Sequence, residues 1–364
     1  MNRTQIMKIV GLISGSSLDG LDIAICNFEM SDGTITYLLE KADTISFDEK
    51  LIESLKNATK LETKELYALE VSFSQFCAEA IRSICGNDLQ NIDYIASHGH
   101  TIFHHPEERF TIQIGNGGII AEGVRKPCIT DFRMNDVALG GQGAPVAPIV
   151  EQYLFPGYDF FVNLGGIANI SCHSADSIQS LDTCPCNQVL NHLSQQLGQE
   201  YDKGGQLARR GLIQEGAING LGTLDYFQLP FPKSMDNSWV TQVFLPEFSK
   251  YDLSTEDALA TMVEFIAIQL QKDAALLSSG ESGQMKAFMT GGGAFNTYLL
   301  ERIGHYFKQL DIDLTVPDHS TINFKEAILM ALMGYLRVMK LSNTIPSVTG
   351  ASRPTVGGAV YWSR

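Results

Sequence analysis

The sequence predicts an α/β protein of two lobes, and three observations carry that expectation. Apolar strand-like runs alternate with amphipathic helix-like stretches along the chain. Three of those strands run directly into glycine-rich turns, at Gly15, at Gly165-Gly166 and at Gly291-Gly292-Gly293. At 364 residues, the chain is too long for one small core and has the length of two ordinary domains. A strand-to-glycine turn in each half suggests lobes that place phosphate-facing turns around one cleft.

Taken in order, Lys8 to Ile13 reads as a strand, a Gly/Ser turn follows, and Leu21 to Phe28 reads as the second arm of a hairpin. Between Thr63 and Cys85, Leu66, Leu69, Phe73, Phe76, Ala80 and Ile84 recur every three or four positions, one face of an amphipathic helix. Short strands are expected at Tyr94–Ser97, Thr111–Ile114 and Cys128–Thr130. The segment from Arg133 to Pro148, with Gly140-Gly141-Gln142-Gly143 and two prolines, predicts a loop. Tyr158–Leu164 restarts the pattern as an apolar strand. Ser254-x-x-Asp257 predicts a capping box opening a long helix to Leu277. Lys286–Thr290 is a strand into the glycine triplet, and Leu299, Ile303, Tyr306 and Leu310 share a face of the helix beyond it. Lobes of 1–130 and 131–344 are expected, with the segment from about 345 to 364 returning to the first.

Composition narrows the partners. Lys+Arg number 26 against 41 Asp+Glu, a net charge of −15 that repels nucleic-acid backbones. A nucleotide is still possible, since backbone N–H groups and a metal ion can bind phosphate. Arg3, Lys8 and the run Ile9–Ile13 imitate a signal peptide, but the run is too short for its apolar core and reads better as a buried strand. No stretch approaches a membrane span. Seven cysteines, an odd number, suggest free thiols in a reducing compartment, so the cytoplasm is the expected location.

Several residues have the chemistry for a site. In Gly11–Gly20, glycines bend the backbone and expose N–H groups to an anion, with Gly15 and Gly20 at the turn. Ser16 and Ser17 add hydroxyls, and Asp19 is a hard oxygen ligand suited to Mg²⁺, directly or through water. A plain hairpin turn uses the same residue types. Gly291, Gly292 and Gly293 lie between strand and helix, where the helix dipole favours anions. His98, His100, His104 and His105 crowd eight positions, but no Cys or carboxylate is spaced with them as in structural zinc sites.

The blocks Gly11–Gly20, Ser97-His98-Gly99-His100-Thr101, Gln113-Ile114-Gly115, Asp131-Phe132-Arg133 and Gly140–Pro145 stand in one order with Asn163–Ile170, Asp182-Thr183, Thr290–Asn296, Glu326-Ala327 and Thr349-Gly350-Ala351. That series, extending over nearly the whole chain, resembles the anhydro-N-acetylmuramic acid kinases. The resemblance implies an actin-like, hexokinase-like (ribonuclease H-like) ATPase fold with ATP bound between two lobes. It implies hydrolysis of the 1,6-anhydro bond and phosphorylation of the sugar's 6-oxygen, with ATP and Mg²⁺, in cell-wall recycling. It also implies a homodimer.

On this chain the resemblance makes Asp182 the general base. It places ATP on Gly15, Ser16, Ser17, Asp19, Gly20, Asn163, Gly165, Gly166, Gly291, Gly292, Gly293 and Asn296, and the sugar near His98, Thr101, Arg133 and Glu326. Each has a plainer role available. Asp182 could cap the helix ahead of Val189, Arg133 could pair with Asp131 or Asp136, and Asn323-x-x-Glu326 has the form of a capping box. The chain departs from the family pattern at Ser16, where Thr is common, and at Cys184 and Cys186, where glycines are usual. It departs again at Met235-Asp236 after Lys233-Ser234, where Thr-Gly is usual. Glycines needing positive φ would strain cysteines in their place. Another kinase of the same fold would lack the Ser-His-Gly-x-Thr and Asp-Phe-Arg blocks. A non-catalytic ATP-binding protein has only the cysteine departures in its favour.

Overall fold

The computed structural model describes residues 6–15, 18–174, 178–231, 233–278 and 283–363. The chain forms two compact units: one takes the chain up to Pro156 and again from Phe324, the other Gly157–Asn323. These divisions replace the lines drawn at 130 and 345. The helix Ala147–Leu154 belongs to the first unit because Ile149, Val150 and Leu154 pack into its core, and so do Ala327–Leu336 of the helix His319–Val338. The second division falls inside that helix, next to Phe324, whose backbone is non-helical (φ −114°, ψ 15°).

The first unit is built on β1 (Met7–Ser14), β2 (Leu21–Ser31), β3 (Thr34–Ile45), β4 (Tyr94–Ser97), β7 (Cys128–Thr130) and β13 (Ala359–Tyr361), in the order β13-β7-β4-β1-β2-β3. β1, β2 and β3 form an antiparallel meander, β4 and β7 continue in parallel, and β13 closes the edge antiparallel. β5 (His100–His105) and β6 (Phe110–Ile114) form a separate hairpin. In β1, Val10 and Leu12 join the core beneath the helix Thr63–Cys85, while Ile9 and Ile13 join the opposite one. Burial on both faces is why this strand reads as a continuous apolar run. Gly11 interrupts it because an added Cβ would lie 2.0 Å from the Ala327 carbonyl oxygen of the helix crossing that face.

The second unit holds β8 (Phe160–Leu164), β9 (Ile167–His173), β10 (Ile178–Pro185), β11 (Met285–Thr290) and β12 (Ile312–Thr315), in the order β10-β9-β8-β11-β12. Here too an antiparallel three-strand meander is followed by two parallel strands. The helix Thr255–Leu277 fills its core with Leu259, Met262, Val263, Ile266 and Leu270, and Ser254 caps it by accepting from the Asp257 N–H. The same meander-plus-parallel order in both units is the ribonuclease H-like arrangement of the actin-like ATPase fold, as expected. None of the described helices is long and apolar enough to cross a membrane.

Candidate active site

In the first unit a pocket of about 730 Å³ is lined by the end of β1, the β5 strand and the helix His319–Val338. It brings together Gly15, His98, Thr101, Arg133 and Glu326, residues drawn from separate sequence blocks. His98 is buried, and its Nδ1 lies 3.2 Å from the Gly99 carbonyl oxygen. A carbonyl only accepts, so Nδ1 carries the proton and Nε2 is left as the acceptor. Nε2 is buried without a partner among the described residues. Burial, assisted by the charge of Arg133, pushes the His98 pKa down to about 3, so the ring stays neutral.

Arg133 makes no ion pair with Asp131 or Asp136 among the described residues, and its Nε is buried without a partner. Burial lowers its pKa against the opposing pull of Glu326. Asp136 is engaged elsewhere, accepting from the Gly143 N–H at 2.8 Å and from the Thr349 hydroxyl at 2.7 Å. Those bonds tie the Gly140–Pro145 and Thr349–Ala351 blocks together, and a Cβ at Gly141 would meet Asp136 Oδ2 at 2.2 Å. The role of Asp136 was not legible in the sequence, although its partners were singled out as motifs. Glu326 is exposed and belongs to a helix that starts at His319, with Asp318 accepting from the Thr321 N–H. Among the described residues no hydrogen bond joins Asn323 and Glu326, and Phe324 between them is non-helical, so the capping-box role for Glu326 falls away.

The other predicted residues of this unit divide. Ser16 and Ser17 lie outside the described residues. Asp19 is exposed on the β1–β2 turn, near enough to Asp22 for its charge to contribute to the raised pKa of Asp22, which burial dominates. Gly20 has a packing reason, since a Cβ there would lie 2.7 Å from the Ile45 carbonyl oxygen.

In the second unit, Asp182 sits half-buried on the edge strand β10. It does not cap the following helix; Cys186 occupies that position ahead of Asn187–Gln195. Its Oδ2 accepts from the Ser234 hydroxyl at 3.1 Å and from the Met235 N–H at 2.9 Å. Among the described residues no hydrogen bond reaches Oδ1. Its backbone is held as well: Asp182 N–H donates to the Lys233 carbonyl at 3.3 Å, and the Tyr226 hydroxyl donates to the Asp182 carbonyl at 2.5 Å. The Met235 departure is harmless to this clamp because the contact is a backbone N–H.

Cys184 and Cys186 are fully buried, free, and outside the positive-φ residues. Neither cysteine takes the positive φ that would favour glycine, and burial raises both thiols, Cys186 to about 12. They are packing residues in the core of the unit.

Gly292 and Gly293 border a second cavity of about 310 Å³, lined also by Asn187, Gly204 and Asn296; Asn163, Gly165, Gly166 and Gly291 are not among its lining residues. Gly291 has φ +84°, and a side chain there would meet Asn163 Oδ1 at 2.6 Å. Gly292 and Gly166 lack any such reason: a Cβ would come no closer than 3.5 Å and 3.9 Å to a neighbour, and φ is ordinary at both. Bare backbone without a folding requirement is what close approach to a ligand needs. The Gly165 and Gly166 carbonyls accept from Asn187, Cys186 and Gln188 at the start of the next helix. Asn296 caps the helix Thr297–Phe307 by accepting from the Leu299 N–H at 3.0 Å.

A sheet core repeated in both units, with a pocket of polar side chains in one and glycine turns and a clamped carboxylate in the other, defines a two-lobed α/β protein of the actin-like ATPase class. The anhydro-N-acetylmuramic acid kinase family matches the chain over residues 7–363. An anhydro-N-acetylmuramic acid kinase of Aliivibrio fischeri is 33% identical over 370 residues, covering 97% of this chain and 99% of that protein. One from Synechococcus elongatus is 31% identical over 379 residues, covering 98% and 99%. The chain belongs to the anhydro-N-acetylmuramic acid kinase family. Among solved structures, component A of (R)-2-hydroxyglutaryl-CoA dehydratase from Acidaminococcus fermentans aligns with 12% identity and a TM-score of 0.46, covering 92% of this chain and 100% of that one.

Proposed function

We propose that the chain is an ATP-dependent kinase of 1,6-anhydro-N-acetylmuramic acid. Water adds to the anomeric carbon and gives a proton to Asp182, the C1–O6 bond breaks, and O6 takes the γ-phosphoryl group of ATP. The products are N-acetylmuramic acid 6-phosphate and ADP. The observation that carries this assignment is the Asp182 carboxylate, with Oδ2 fixed by two donors and Oδ1 left for a water. A base must be held in its productive geometry and keep an oxygen for the proton, as in inverting glycosidases.

The pocket of the first unit supports the sugar. At about 730 Å³ it has the volume of a small-molecule site. Its two orphaned atoms are complementary to the substrate: Arg133 Nε can donate to the lactyl carboxylate, and His98 Nε2 can accept from a hydroxyl or amide N–H. Glu326 and Thr101 add an acceptor and a hydroxyl. ATP is assigned to the glycine turns of the second unit. Asp19 suits Mg²⁺, being an exposed hard oxygen ligand with a second carboxylate, Asp22, nearby. Bound there, the ion would neutralise phosphate charge.

A cytoplasmic location is part of the proposal, supported by seven buried free thiols, and so is the homodimer implied by family resemblance. Sedimentation of the purified protein at one mass, the monomer's, would remove the dimer. The test of the activity is ADP release by purified protein with ATP and Mg²⁺. Release should depend on 1,6-anhydro-N-acetylmuramic acid and not occur with N-acetylmuramic acid. Equal release with both sugars, or with neither, would overturn it.

A further inference from the structure

The segment that clamps Asp182 is itself anchored by a buried ion pair. Lys233 Nζ lies 3.4 Å from Asp273 Oδ1, with side-chain exposures of only 7% and 9%. Asp273 stands on the helix Thr255–Leu277, the central core element of its unit. Lys233 reaches residue 182 by three routes. Its carbonyl accepts the Asp182 N–H. The next two residues, Ser234 and Met235, supply both donors to Oδ2. Its ammonium lies 5.3 Å from the centre of the Tyr226 ring, whose hydroxyl donates to the Asp182 carbonyl.

Fold stability alone does not account for this pair. Two charges taken out of water recover their desolvation only when their remaining hydrogen-bonding capacity is met, and apolar residues of similar volume often serve the fold as well. Here Asp273 Oδ2 is buried without a hydrogen-bond partner among the described residues, and so is the neighbouring Thr183 hydroxyl oxygen. Thr183 is close enough to favour the charged form of Asp273 but does not close a hydrogen bond to it. Burial, the larger effect, raises the Asp273 pKa against the pull of Lys233. What the pair does supply is a directional link between a rigid helix and the only described donors to the base.

We propose that Lys233 and Asp273 are positioning residues for Asp182: the ion pair fixes residues 233–235 so that the carboxylate keeps the geometry in which Oδ1 meets the attacking water. The proposal rests on Asp182 being the base. Loss of the pair lets the clamp drift, which slows the chemical step while both substrates still bind their own contacts.

The experiment measures kcat, both KM values and thermal stability for Asp273→Asn, Lys233→Met, the double variant Lys233→Met/Asp273→Leu, and Lys233→Arg. Each single variant and the double should lose about ten- to a hundred-fold in kcat, the range for a misplaced group. The sugar and ATP KM values should stay within about two-fold, marking a loss confined to the transition state. The double variant, with no unpaired charge, should recover the parental melting temperature without recovering kcat, and Lys233→Arg should restore part of kcat. A double variant with parental stability and parental kcat would overturn the proposal. If the double variant fails to fold, Asp273→Glu decides, since it keeps both charges and displaces the carboxylate by one methylene. A fall in kcat at constant KM is then expected, and parental kcat overturns the proposal. Asp182→Asn, run beside these, separates the two claims. If it retains turnover, the base assignment fails. If it is inactive while the double variant keeps parental kcat, the positioning role alone fails.

Discussion

The two units share a five-strand order, to which the first adds the edge strand β13, but they carry different kinds of site. In the first, the pocket is lined largely by side chains, and two of its buried polar atoms are unsatisfied among the described residues: His98 Nε2 lacks a donor and Arg133 Nε lacks an acceptor. In the second, the Asp182 carboxylate and backbone are already bonded, and a cavity of that unit includes the bare backbone of Gly204, Gly292 and Gly293 in its lining. Orphaned side-chain atoms suit recognition of one sugar by its particular groups, because an unmet buried polar atom penalises any ligand that fails to pair it. Bare backbone suits phosphate, and a pre-bonded carboxylate suits chemistry. One fold thus hosts recognition and reaction by changing what its strand ends carry.

If that division holds, the largest effect belongs to the second unit. Asp182→Asn should lower kcat by about 10²- to 10⁴-fold, the usual contribution of a general base, with little change in either KM, as read by steady-state kinetics. Next come the orphaned atoms. Arg133→Met should lower kcat/KM for the sugar by about ten- to a hundred-fold, the worth of a charged hydrogen bond, and leave the ATP KM unchanged. Arg133→Lys should recover only part of it, because an ammonium lacks the planar fork. An equal loss for ATP and sugar would break the comparison.

A smaller effect is expected at Gly292. Gly292→Ala has room for its methyl, so the melting temperature should stay put while the ATP KM rises several-fold. Parental ATP KM would remove the glycine turn from the nucleotide site.

The gentlest test uses pH. The folded-state pKa of His98 is depressed to about 3, below the ordinary 6.5. As pH falls from about 6.5 towards 3, the unfolded chain therefore takes up a proton that the folded one refuses. Stability is lost over that window, with a slope from this group approaching about 1.4 kcal/mol per pH unit. Denaturant melts at several pH values should show a shallower loss in His98→Gln than in the parent protein.

Much of this architecture was legible because it depends on local pattern. The helices Thr63–Cys85 and Thr255–Leu277, the first hairpin and the strand before Gly291 follow from periodicity and caps. Less legible were features made by distant packing. Ser234 stands 52 residues beyond Asp182 and shows no pattern linking it to a carboxylate. Asp273 looks like one more polar position on a long helix until Lys233 is found beside it. The unit boundary was misplaced because the division falls at the kink beside Phe324 within His319–Val338, with neither Gly nor Pro to mark it. Asp182 itself came from resemblance, since its spacing also fits a cap. The structure removes that competing role by placing Asp182 on a strand, five positions before the helix begins.

The most direct test of the account is the mass of the sugar product formed from 1,6-anhydro-N-acetylmuramic acid, ATP and Mg²⁺ by the parent protein and by Asp182→Asn. The account predicts N-acetylmuramic acid 6-phosphate, carrying the added water, from the parent and none above background from the variant. A phosphorylated product that keeps its anhydro ring, or undiminished product from a folded Asp182→Asn protein, would contradict it.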